Sequence, residues 1–139
     1  MVRRCGAPAA WPAALGTFKA ACHDTCPSKA SSFWWRANQL AGKASLLFAY
    51  SLGKAQRVLA GVDPMIGPIY THGAVERLVA DYRASGVALP ATIYAAAGLK
   101  ADWSQALIVA PPSAQGSPWM RRFGPLSAGF ASGWMQIRG

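Results

Sequence analysis

The stretch Phe48-Ala-Tyr-Ser-Leu-Gly-Lys-Ala-Gln56 joins two different hydrophobic patterns. Leading into it, the apolar run from Ala44 to Tyr50 has the length of a buried strand. Beyond the corner Ser51-Leu52-Gly53, the residues Leu52, Ala55, Val58, Leu59 and Val62 fall on one face of a helix. A strand that turns directly into a helix leaves N–H groups and the positive end of the helix dipole at the sheet edge, where a phosphate can bind. Ser51, Gly53 and Lys54 are therefore candidate binding residues.

The alternation continues on both sides. Ser31 or Ser32 can cap a helix from Phe33 to about Leu40, ended by Gly42. After the strand Ser45 to Tyr50 and the helix Leu52 to Val62, Asp63-Pro64 closes the unit. Pro68 to Thr71 reads as a second short strand, and Gly73 to Ala84 as a helix with Val75, Leu78, Val79 and Tyr82 at helical spacing. Thr92 to Tyr94 and Ala106 to Ala110 are further strands, the latter stopped by Pro111-Pro112, and Phe130 to Ile137 alternates like a returning strand. Strands alternating with helices predict an α/β fold with a mostly parallel sheet and helices on both faces, over residues 32–139. Residues 1–31 carry three prolines and all three cysteines without a sustained period, and are expected to form a separate segment without packed structure.

With 53% hydrophobic and 14% charged residues in 139, the chain has the material for one core and is not disordered by composition. Its apolar runs are far shorter than the roughly 20 residues a membrane-spanning helix needs. No membrane partner is expected, and Trp11-Pro12 interrupts the start before a secretory h-region develops, so the expected location is cytoplasmic. Fourteen Lys and Arg against five Asp and Glu give a net charge of +9, which suits a polyanion; loss of an acidic half from a larger protein would produce the same balance.

Catalytic constellations are missing. Asp24, Asp63 and Asp102 lie on different elements, and Glu76 and Asp81 are five apart, a spacing that does not align them on a helix, so no carboxylate pair is available for acid and base chemistry. No nucleophile elbow is present. Ser51-Leu-Gly-Lys54 is not a phosphate loop of the ATPase type, since Phe48 stands where its first Gly belongs and Ala55 where a magnesium-binding Ser or Thr belongs. Cys22-His-Asp-Thr-Cys26 with Cys5 lacks the second pair of a structural zinc site, so ordinary thiols are expected. His72, alone at a Thr-His-Gly corner, reads as a turn residue that can face a substrate channel. Trp119-Met-Arg-Arg-Phe123 sets Arg121 and Arg122 between aromatics, which suits a nucleic-acid strand and equally a buried Trp119 with solvated arginines.

Three segments carry a family resemblance: Phe48 to Gln56, Gly67-Pro-Ile-Tyr-Thr-His-Gly-Ala-Val-Glu-Arg77, and Ala110-Pro-Pro-Ser-Ala-Gln-Gly-Ser-Pro-Trp-Met-Arg-Arg-Phe-Gly124. In this order they resemble the bacterial ligase-associated DNA exonucleases, metallo-β-lactamase fold enzymes with an inserted β-CASP domain, related to the mRNA 3′-end processing nucleases. The match runs from about Phe33 to Gly139, roughly three quarters of the chain. The resemblance implies a β-CASP-like region truncated from a larger enzyme of DNA repair that hydrolyses phosphodiester bonds and is associated with an ATP-dependent DNA ligase and a helicase. It implies DNA as the partner, with RNA as the alternative. Family members hold two metal ions, usually zinc, through His-x-His-x-Asp-His and later His motifs; His23 and His72 lie in neither, so no cofactor is expected in this chain and no catalytic residue. Ser51, Gly53, Lys54, His72, Arg121 and Arg122 are the expected nucleic-acid contacts of a fragment inactive by itself. A stand-alone basic binding module and a gene remnant without function are the alternatives.

Overall fold

A computed structural model describes residues 17–21 and 27–132. The elements are β1 (Thr17–Ala21), α1 (Pro27–Leu40), β2 (Ala44–Phe48), α2 (Lys54–Gly61), β3 (Ile69–Thr71), α3 (Gly73–Ala84), β4 (Ile93–Tyr94), β5 (Leu107–Ala110), α4 (Pro118–Arg121) and β6 (Leu126–Ser132), with 3₁₀ turns at Trp103–Gln105 and Pro112–Ala114. Five strands in the order β6-β2-β5-β3-β4 form the sheet, with β1 added beside β6. Every described pairing is parallel. In register, Ser45 lies opposite Leu107 and Phe48 opposite Ala110, while Leu46 meets Ala128 on the other side. The expected α/β architecture is present.

Right-handed crossovers decide which face each connection covers. Those that step from β1 toward β4 carry α1, α2 and α3 over one face. Trp35, Ala55, Leu59, Val75 and Val79 from these helices bury Leu47, Ile69, Leu107 and Val109 of the strands there. Connections that step back, from β4 to β5 and from β5 to β6, cover the opposite face with 3₁₀ turns and the four-residue α4. Leu46, Phe48, Tyr70 and Ile108 meet Ala114 and Phe123 on that side. Because side chains alternate along a strand and both faces are covered, every residue of β2 and β5 is buried, and all but Ser45 are apolar.

Two polar ties fix α1 against this sheet. Asn38 Nδ2 donates to Ser45 Oγ at 2.9 Å, both residues being buried. Trp35 Nε1 and Gln39 Nε2 both donate to the Gln105 carbonyl, at 3.1 and 2.9 Å. Gly67 lies against this junction: a Cβ there would come within 2.7 Å of Gln105 O and 2.8 Å of Gln39 Nε2. The carbonyl belongs to backbone and cannot rotate away. Gly67→Ala is therefore expected to destabilise the fold by about 1–3 kcal/mol, read as a lower midpoint in urea unfolding at unchanged slope.

Several element boundaries differ from expectation. α1 begins at Pro27, so Ser31 and Ser32 lie inside the helix and Ser31 is buried. Proline is well suited to a first helical turn, where its missing N–H would have no partner, and nothing between Pro27 and Ser32 breaks the helix. β1 also falls in the segment to which the sequence assigned no element, formed by a parallel ladder from Thr17 opposite Ala128 to Ala21 opposite Ser132. β6 starts at Leu126 instead of Phe130, since it is paired with β1 and β2 on its two sides, and ladders on both sides can impose a strand on the small residues Ser127 to Gly129. Residues Cys5, Cys22, His23 and Cys26, and Trp134 to Ile137, lie outside the described residues. Within the described residues, no helix is long and apolar enough to cross a membrane.

Candidate functional site at the strand ends

All strands point the same way, so the loops after β2, β3, β4 and β5 gather at one edge. The chain leaves β2 for the face with α2 and leaves its neighbour β5 for the opposite face. Such a divergence opens a crevice outside the carboxyl ends of the strands, the usual ligand position in open α/β sheets. Residues 49–53, 72–73 and 95–96 follow strand ends at this edge, and 111–124 start from it and return across the sheet toward β6.

At the first corner Gly53 takes φ 83°, a conformation that favours glycine, and the turn closes on Gln56. Gln56 Oε1 accepts from the Gly53 N–H at 2.7 Å, and its Nε2 donates to Ser51 O at 2.8 Å. The Ala55 N–H donates to Tyr50 O at 2.9 Å. Two N–H groups that the sequence left open for a phosphate are thus used inside the protein. Ser51 and Gly53 make the turn; Lys54, partly exposed at the helix start, is the residue of this corner free to meet an anion. Gln56 is 2% exposed and was not singled out from the sequence. Its signal was its position three residues after the cap, where Gln reaches back to the cap N–H.

His72 follows β3 and caps α3. Its Nδ1 accepts from the Ala74 N–H at 3.2 Å, and its ring stands edge-on to Trp119 with centroids 4.7 Å apart. The accepting Nδ1 places the proton of the neutral ring on Nε2. Burial, and secondarily the positive charge of Arg122, lower its pKa from 6.5. Between that lowered value and 6.5 the unfolded chain binds the extra proton, so stability is fully present above pH 6.5 and declines as pH falls through this window. Asn also caps helices through a side-chain oxygen. His72→Asn is expected to flatten the melting temperature against pH below 6.5 relative to the parent chain; an unchanged profile would assign the acid sensitivity to other groups.

The third contribution comes from α4. Trp119 Nε1 donates to Ala95 O at 3.2 Å, and its ring contacts Phe123 edge-on at 4.8 Å. Arg122 donates to the carbonyls of Ala95 and Ala96, and its guanidinium lies 5.1 Å from the Phe123 ring, 5.4 Å from Trp119 and 5.8 Å from Trp103. Its Nε is buried without a partner, and among the described residues no carboxylate pairs with it. Arg121, its neighbour, is exposed. The structure thus separates a pair that the sequence treated alike: Arg122 is held inside an aromatic cage, and Arg121 faces solvent.

Among the described residues, no acidic group pairs with these cations. Asp63 and Asp102 precede β3 and β5 and so belong to the opposite edge. Glu76, in the first turn of α3, accepts from Thr71 Oγ1 and, at 3.0 Å, from Thr92 Oγ1. This carboxylate ties α3 to β3 and to the approach to β4. Among the described residues no three of His, Cys, Asp or Glu come together in a group that could hold a metal ion. No protein family, curated protein or solved structure matches this chain.

Proposed function

We propose that this chain is the β-CASP-like part of a metal-dependent DNA exonuclease of the metallo-β-lactamase fold, and that it supplies the surface that holds the strand to be cut. One observation carries the reading. Each of the three segments that resemble the family contains the carboxyl end of a strand, and these ends lie at one edge: Phe48 to Gln56 covers the end of β2 and the start of α2, Gly67 to Arg77 covers β3 and the first turn of α3, and Ala110 to Gly124 starts at the end of β5 and returns through α4. His72 and Arg122 both lie against Trp119 near that edge, Lys54 opens α2 just past the end of β2, and exposed Arg121 precedes Arg122, a set of cations that suits a polyanion. The described side chains do not fit a two-metal site, so no step of phosphodiester hydrolysis is assigned to them. DNA is the proposed partner and RNA the alternative; association with an ATP-dependent ligase and a helicase in DNA repair follows from the same resemblance.

A stand-alone basic binding module is the second reading, favoured by a sheet whose two faces are both covered by the chain's own residues. Labelled single-stranded DNA tests both. Incubation with Zn²⁺ or Mn²⁺ is expected to release no nucleotides, and binding is expected to weaken linearly in log salt, with Arg121→Ala reducing the slope by about 1. Nucleotide release that survives repurification would overturn the assignment of no catalytic step to this chain. Binding insensitive to salt and to Arg121 would remove the interface from both readings.

A further inference from the structure

We infer that Tyr50 and Tyr94 are base-stacking residues, each taking a separate base of a single strand laid across the carboxyl edge of the sheet; this rests on the nucleic-acid reading above. Both tyrosines sit just past or at the end of a strand, Tyr50 after β2 and Tyr94 closing β4. They are 56% and 52% exposed, whereas Tyr70, inside the sheet, is 7% exposed. An aromatic ring held half in water has a free face for a base, and tyrosine gives up little conformational freedom when it binds.

Their neighbours select a polyanion. Lys54 and Arg57 follow Tyr50 on α2, Arg77 lies in the first turns of α3 beside β4, Lys100 is exposed on the loop after β4, and Arg121 is exposed at the end of α4. Glu76, the carboxylate at this edge, is engaged by two threonine hydroxyls. A surface combining separated aromatic rings with cations and, among the described residues, no free carboxylate at that edge fits a strand whose phosphates run past the cations while its bases lie on the rings. β2 and β4 are separated by β5 and β3. Three strand spacings of about 4.8 Å put the two positions about 14 Å apart, too far to sandwich one base about 3.4 Å thick. Each ring therefore takes its own base.

Tyr94 is also held in place. Its ring packs on Gly73, where an added Cβ would approach Tyr94 Cε2 to 3.2 Å and the hydroxyl to 3.3 Å. Gly73 thus gives a seat to the ring, and Gly73→Ala would shift it by a few tenths of an ångström without changing the tyrosine itself.

The test compares a fluorescent oligothymidine with an abasic sugar-phosphate strand of the same length, by anisotropy, on the full chain. Stacking predicts that the parent chain binds the thymidine strand more tightly, that Tyr50→Ala and Tyr94→Ala each weaken that binding by about tenfold and leave the abasic strand unaffected, and that Tyr94→Phe retains it. Gly73→Ala is expected to weaken thymidine binding alone. Equal affinity for both strands in the parent and all variants would overturn the stacking role while leaving a purely electrostatic interface. Binding of neither strand would overturn the nucleic-acid reading itself, and this inference with it.

Discussion

Trp35→Ala is expected to cost about 3–5 kcal/mol, enough to bring a domain of ordinary stability close to unfolding. The indole is 0% exposed and packs in the core between α1 and the sheet. It also donates to Gln105 O, the carbonyl that Gln39 shares. Removing it opens a cavity and withdraws one of the two donors from that carbonyl. Trp35→Phe separates these effects, since most of the volume stays and the donor is lost; its cost should be near that of one hydrogen bond plus a small void, about 1–2 kcal/mol. Urea unfolding followed by far-UV circular dichroism measures both. A loss under about 1 kcal/mol for Trp35→Ala would mean that α1 does not depend on this anchor, and the packing described for that face would be wrong.

Strands buried on both faces were the most legible part of the sequence. The strands at Ala44 to Phe48, apolar apart from Ser45 and read from the sequence as far as Tyr50, and at Leu107 to Ala110 stand out as short apolar runs, and α3 has the expected bounds, with periodic apolar residues and a terminating Ser85-Gly86. What escaped was decided by partners distant in sequence. Leu126 to Ser132 contains Ser, Ala and Gly, poor strand formers, and pairs on both sides with β1 and β2. The site was legible in position and less so in roles. Its corners could be located from Gly53, His72 and Pro111-Pro112. Which N–H groups are already bonded depends on Gln56 and on the rotamer of His72, and which of two adjacent arginines turns inward depends on carbonyls at Ala95 and Ala96, 26 or more residues away in the chain.

The adjacent arginines should part company under substitution. Arg122→Met keeps an apolar stem among Trp103, Trp119 and Phe123 but removes the donors to Ala95 and Ala96. Charged hydrogen bonds of this kind contribute about 1.5–3 kcal/mol, so a loss of about 2–3 kcal/mol in unfolding free energy is expected. The variant also removes the positive charge that helps depress the His72 pKa, which should move back toward 6.5 while the burial contribution remains. Imidazole proton resonances followed by NMR across pH read that shift directly. Arg121→Ala, at an exposed site, should change stability by no more than about 0.5 kcal/mol and leave the His72 titration where it is. Its effect should fall on the salt slope of strand binding, by about 1. Loss of stability and the histidine shift belong to the caged residue, and loss of salt-dependent affinity to the exposed one. The reverse assignment, with Arg121 governing stability and Arg122 only the slope, would mean that the aromatic cage is not what fastens α4 over the sheet, and that the cation facing the strand is the one in the cage.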